Sequence, residues 1–130
     1  MLLLTALLAT GPVQAAGSWV ADARLPDIQR RGRLYTSPEL AAPDQMPTAG
    51  RRITRVHWRY GYRIAGRPGP QAQLCAPTHC IATDAASGVT QAFAQWPADT
   101  VFRLHVEVPG HGSFAPALRA GHVQLVVDFD

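Results

Sequence analysis

Lysine is missing from this sequence; all 12 basic residues are arginine. Arginine keeps its proton at any physiological pH and forks onto carboxylates or phosphates, so the formal charge of +3 is built from groups suited to recognition. An Ala-, Arg-, Pro- and Gly-rich chain without lysine is also what a GC-rich genome encodes. Charge of either sign is scarce, 16% of residues against 47% hydrophobic, which excludes a disordered chain. No later apolar run approaches the about 20 residues that a bilayer-spanning helix requires. No stretch keeps a helical period, and there is no internal repeat or low-complexity tract. Several enzyme signatures are absent as well: no Gly-x-Ser-x-Gly elbow, no His-Glu-x-x-His pair and no phosphate loop. What is present is a chain of one domain, 130 residues long, because domains run to about 100 to 200 residues. Its 11 Pro and 11 Gly impose many turns and lean the class towards β.

The opening MLLLTALLATGPVQA reads as an export signal. It offers an apolar core from Leu2 to Ala9, a helix-breaking Gly11-Pro12 pair, and small residues at the ends of Val13-Gln14-Ala15, as signal peptidase requires. Positive charge before that core comes only from the α-amino group of Met1. The expected division is a signal peptide over 1–16, cut after Ala15 or Ala16, and a soluble exported domain over 17–130 with no membrane anchor.

Short strands separated by turn signals organise the rest. Ser18-Trp19-Val20 and Gly32-Arg33-Leu34-Tyr35 are candidate strands, whereas residues 37–50 carry three prolines and a terminal glycine and predict a long Pro-rich loop. Ala72 to Cys75 and Cys80 to Thr83 flank the four residues APTH. Val89 to Phe93 alternates loosely, Val101 to Val108 alternates strictly, Pro109 to Gly112 breaks the chain, and Val123 to Phe129 closes it. Turn signals at roughly 8 to 12 residue spacing predict an all-β, antiparallel sandwich.

The most pronounced alternation is ITRVHWRYGYRI, residues 53–64. Val56, Trp58, Tyr60, Tyr62 and Ile64 fall on one side and Arg55, His57, Arg59, Gly61 and Arg63 on the other, the period of a half-buried strand. A nucleic-acid platform needs aromatics exposed beside its arginines so that bases stack on them. Here the two sets face opposite ways, so nucleic acid is excluded as a partner. Arg55, His57, Arg59 and Arg63 form either a solvated face or a docking face for an acidic partner or an anionic membrane surface.

Cys75 and Cys80 are the only cysteines, and a pair in an exported chain reads first as a structural disulfide pinning a hairpin. The alternative is a metal site built from Cys75, His79 and Cys80, but adjacent His79 and Cys80 point to opposite sides of a strand and a fourth ligand is not evident. His111 beside Ser113, and His105 beside Glu107, lack the geometry of a nucleophile and its base. No catalytic residue, metal ligand or cofactor is assigned, and the chain is not read as an enzyme.

Trp58-Arg59-Tyr60, Leu74-Cys75 and Cys80 with four residues between the cysteines, Glu107-Val108-Pro109-Gly110-x-Gly112, Pro116-Ala117-Leu118 and a closing apolar strand occur in an order that resembles the flagellar protein FlhE family over residues 53 to 129. The resemblance implies a periplasmic β-sandwich without catalysis that serves flagellar assembly and swarming. It further implies contact with export-gate or rod proteins of the flagellar type III system, in a chaperone-like or proton-leak-limiting role. The arginine face is not part of that pattern. The rival from another class is a module for cell-wall glycan, with Trp19, Trp58 or Trp96 as a stacking platform; alternation buries Trp58 and leaves Trp96 as the exposed candidate.

Overall fold

The computed structural model describes residues 16–63 and 69–130. The expected signal peptide but for Ala16, together with Ile64 and most of the turn at 66–70, lies outside them. The described chain is all β, nine strands in two antiparallel sheets, and no helix in it is long and apolar enough to cross a membrane.

The organising element is the last strand. β9, Ser113–Phe129, is 17 residues long and lies inside the first sheet. β1 (Gly17–Leu25) and β2 (Ile28–Arg30) run along one side of it, and β4 (Ile53–Arg63) along the other, with β7 (Ser87–Thr90) outside β4. The closing alternation explains this placement: Val123, Leu125, Val127 and Phe129 are all buried, while Gln124, Val126 and Asp128 between them reach the other face. The second sheet runs β3 (Tyr35–Thr36), β8 (Arg103–Glu107), β5 (Gln71–Ala76) and β6 (His79–Thr83). Leu74, Leu104 and Val106 from this sheet meet Ile53, Val56, Leu125 and Val127 from the first in one core.

Two bulges adjust the alternation. Ile53 pairs with Phe129 but Arg55 with Asp128, so β4 spends one extra residue against β9. That extra residue is why Ile53 and Val56, three apart, are both fully buried. Farther along, Gly61 pairs with His122 and Arg63 with Arg119, so here β9 carries the surplus. Ala120 takes it up with a φ of 56°.

Between the sheets, Trp19, Phe93, Phe102 and Phe129 are almost wholly enclosed. Phe93 meets Phe102 edge to face at 5.0 Å, and the Trp19 indole N–H donates to the Ala98 carbonyl at 2.8 Å, so its polar atom is buried with a partner. Residues 37–50 hold no named strand, yet they pack onto the core. Leu40 is fully buried and bridges Phe102, and Ser37 Oγ accepts the Leu104 N–H at 2.9 Å.

Several expectations need correction. Residues 31–34 form a turn and an irregular stretch, so the strand expected there is reduced to Tyr35–Thr36, whose partner is the edge of β8. The loop after β5 is not four residues: Ala76 pairs with His79, leaving only Pro77 and Thr78 outside the ladder. Trp58 is half-buried rather than buried, because its neighbour β7 is a short edge strand. Its indole lies over Gly88, directly opposite, where an added Cβ would sit 2.5 Å from Trp58 Cζ2. Trp96 is half-buried rather than free, set edge to face on Phe93 at 5.8 Å and beside His79.

Candidate functional site

β1, β4 and β9 place their polar residues on the outer face of the five-stranded sheet, and register sorts that face into rows. Ser18, Asp128 and Arg55 lie in one row; Val20, Val126, His57 and Val89 in the next; Asp22, Gln124, Arg59 and Ser87 in a third; Arg24, His122 and Gly61 in a fourth. Arg119 and Arg63 close it. Nothing among the described residues covers this face: Val20 keeps 46% and Val89 55% of its surface exposed, at opposite edges of the sheet.

The first row is an ionic cluster. Asp128 accepts the Ser18 hydroxyl at 2.6 Å and lies 2.9 Å from His57 Nε2 and 3.2 Å from Arg55 Nε. Partial burial alone would raise the Asp128 pKa, but the Ser18 hydrogen bond, the His57 contact and the Arg55 charge together outweigh it and hold the carboxyl below its ordinary value. Serine, histidine and aspartate are thus gathered, but in an order useless for nucleophilic catalysis. The hydroxyl donates to the carboxylate and not to the imidazole, so no base stands ready to take its proton.

Of the four residues expected to act together, the structure therefore separates two from the other two. Arg55 and His57 are occupied by Asp128. Arg59 and Arg63 have no such partner among the described residues and instead join Arg24, Arg119 and His122, which the sequence reading missed because they come from other strands. At the sheet end below them, Tyr62 donates its hydroxyl to the Pro26 carbonyl at 2.8 Å; burial, then the charges of Asp27 and Tyr35, push its pKa far up, so it remains a donor.

On the second sheet, Cys75 and Cys80 are directly paired across β5 and β6 and joined as a disulfide. Their thiolates are consumed in that bond, so they cannot also ligate a metal with His79, and no three of His, Cys, Asp or Glu gather for a metal among the described residues. His105 and Glu107 share the outer face of β8, where Gln73 and Gln71 are their neighbours on β5. His111 and Ser113 sit at the exposed corner before β9. Trp19 is enclosed, the Trp58 indole N–H donates to the Ala85 carbonyl at 2.9 Å, and Trp96 packs on Phe93, so the three rings share no common surface on which a sugar could stack.

Comparison with known proteins supplies the identity that geometry cannot. Residues 26–130 match the family described as flagellar protein FlhE. Flagellar protein FlhE of Salmonella typhimurium is 34% identical over 119 residues, covering 90% of this chain and 89% of that protein. The Escherichia coli K12 protein of the same name is 32% identical over 129 residues, covering 98% and 97%, and that of Yersinia enterocolitica is 30% identical over 115 residues, covering 88% and 82%. A crystal structure of FlhE superimposes with a TM-score of 0.78 at 32% sequence identity, covering 88% of this chain and 97% of that one. The chain belongs to the FlhE family of flagellar proteins.

Proposed function

We propose that the protein is a periplasmic accessory factor of flagellar assembly that acts by protein contact on the type III export or rod system, in a chaperone-like or proton-leak-limiting role. Membership of the FlhE family supplies the flagellar part. The observation that carries contact as the mode of action is the uncovered outer face of the five-stranded sheet, where exposed Val20 and Val89 share a face with arginines that lack an acidic partner among the described residues. Apolar side chains beside fixed charge form the mixture of a protein-binding surface. Residues 1–16 serve as the cleaved signal peptide and carry residues 17–130 to the periplasm without a membrane anchor. Deleting the gene and scoring filaments, swarming and periplasmic proton entry tests the reading. Loss in at least one assay, restored by the gene in trans, is expected; unchanged behaviour in all three removes it.

A further inference from the structure

We infer that this face carries a site for an acidic segment of a partner protein, centred on Arg63 and Arg119 and completed by Arg24, Arg59 and His122. The inference rests on the reading of the chain as a protein-contact factor and specifies the chemistry of the contact. Arg63 and Arg119 stand directly opposite each other on β4 and β9. Like charges in that position repel and cost stability. One row along, Arg24 on β1 is opposite His122, and in the row after that Arg59 on β4 is opposite Gln124. All five cationic or ionisable side chains are on exposed residues.

Ion pairing separates these arginines from others in the molecule. Arg55 is 3.2 Å from Asp128 and Arg103 is 3.0 Å from Glu39, whereas none of Arg24, Arg59, Arg63 and Arg119 lies within 4.0 Å of a carboxylate among the described residues. Asp22 lies 3.7 Å from His122 Nε2, and Asp27, at the corner after β1, acts by its charge on Tyr62. Gly61 leaves an opening between Arg59 and Arg63: a Cβ built there meets nothing within 4 Å. The resulting depression of about 450 Å³ is bounded by Arg59, Arg63, His122, Ala120, Tyr60 and Tyr62. A carboxylate entering it meets guanidinium forks from both sides, the geometry of charge-assisted, bidentate hydrogen bonds.

The valine row borders the cations at Arg59. Val20, Val126 and Val89 are short side chains level with the sheet, so they provide nothing long enough to insert among acyl chains. Tyr60 is buried, Tyr62 is tied by its hydroxyl to the Pro26 carbonyl and the Trp58 indole to that of Ala85, so none of these rings is free for bases to stack on. An acidic segment of a partner protein complements these arginines in charge.

The test is fluorescence anisotropy of a labelled peptide alternating Glu and Val, titrated with the purified protein. Two variants remove equal charge from different places: Arg63→Gln with Arg119→Gln, and Arg55→Gln with Arg103→Gln. The first should weaken binding about tenfold or more and the second less than about twofold, with binding to the unaltered protein falling steeply as salt rises. The first variant should also melt no lower than the parent, because a repulsive pair has been removed. Equal weakening by both variants, no binding of the peptide by the parent, or preferential binding to phosphatidylglycerol vesicles overturns the site. In the deletion strain, full rescue by the Arg63→Gln, Arg119→Gln variant overturns the site and leaves the flagellar reading intact. A deletion without phenotype removes the flagellar reading and leaves the peptide affinity standing.

Discussion

Gly88→Ala is a single methyl group whose cost can be worked out from the packing. The new Cβ would lie 2.5 Å from Cζ2 and 2.8 Å from Cη2 of Trp58, about an ångström inside ordinary contact. Either the indole lifts, stretching its 2.9 Å hydrogen bond to the Ala85 carbonyl, or β7 peels from β4. Forced overpacking costs about 1–3 kcal/mol, and a lost hydrogen bond adds about 0.5–1.5 kcal/mol. Against this, alanine returns about 0.4–1 kcal/mol by restricting the unfolded chain. The net is a loss of about 2 kcal/mol. Over the roughly 115 residues of 17–130, an unfolding entropy of about 2.1 cal/mol/K per residue converts this to a fall in Tm of about 8 °C. Differential scanning calorimetry reads it directly. The same change made in a Trp58→Leu background should be neutral or slightly stabilising, since the ring it collides with is gone. A fall of less than about 2 °C in the parent, or an equal fall in both backgrounds, refutes the claim that the glycine exists to seat the tryptophan.

Three further outcomes follow from other parts of the fold. Both cysteines should resist alkylation until reductant is added, read by intact mass, and Cys75→Ala with Cys80→Ala should cost about 2 kcal/mol or less, because the closed loop is small. Trp19→Phe keeps most of the buried volume but leaves the Ala98 carbonyl without its indole donor, so urea denaturation should show a loss of about 1–3 kcal/mol. Asp128 has a folded-state pKa below its unfolded value. Its contribution is therefore present above the ordinary value of 3.8 and disappears as pH falls through the lower folded value. The stability difference between the parent and Asp128→Asn should be constant near neutrality and shrink below about pH 4, as followed by urea midpoints across pH.

Local pattern carried much of this architecture. The alternation of Val123, Leu125, Val127 and Phe129, that of Leu104 and Val106, and the inward set of β4 each have a period of two, and such a period has one physical solution when one side must leave water. The two cysteines were legible for the same reason, since spacing and compartment speak to them without any distant contact. By contrast, the first half of β9 contains Ser113, Pro116, Ala120 and Gly121, poor strand formers by propensity. It is extended because β2 and β4 flank it and supply hydrogen-bond partners. β1 continues past Val20 through Ala21, Asp22, Ala23 and Arg24 for the same reason, with β9 as its template.

The site divides along the same line. Sequence by itself determined that arginines would share one face of β4, because side-chain direction on a strand is a local property. Which of them would be neutralised was decided only by the tertiary structure. Pairing of β4 with β9 brings Asp128 against Arg55 and His57 at one end and Arg119 against Arg63 at the other, and a bulge at Ala120 sets the second alignment. Charge in a sheet acts across strands over a few ångströms, so the sign and strength of this face depend on register, which no short stretch of the chain encodes.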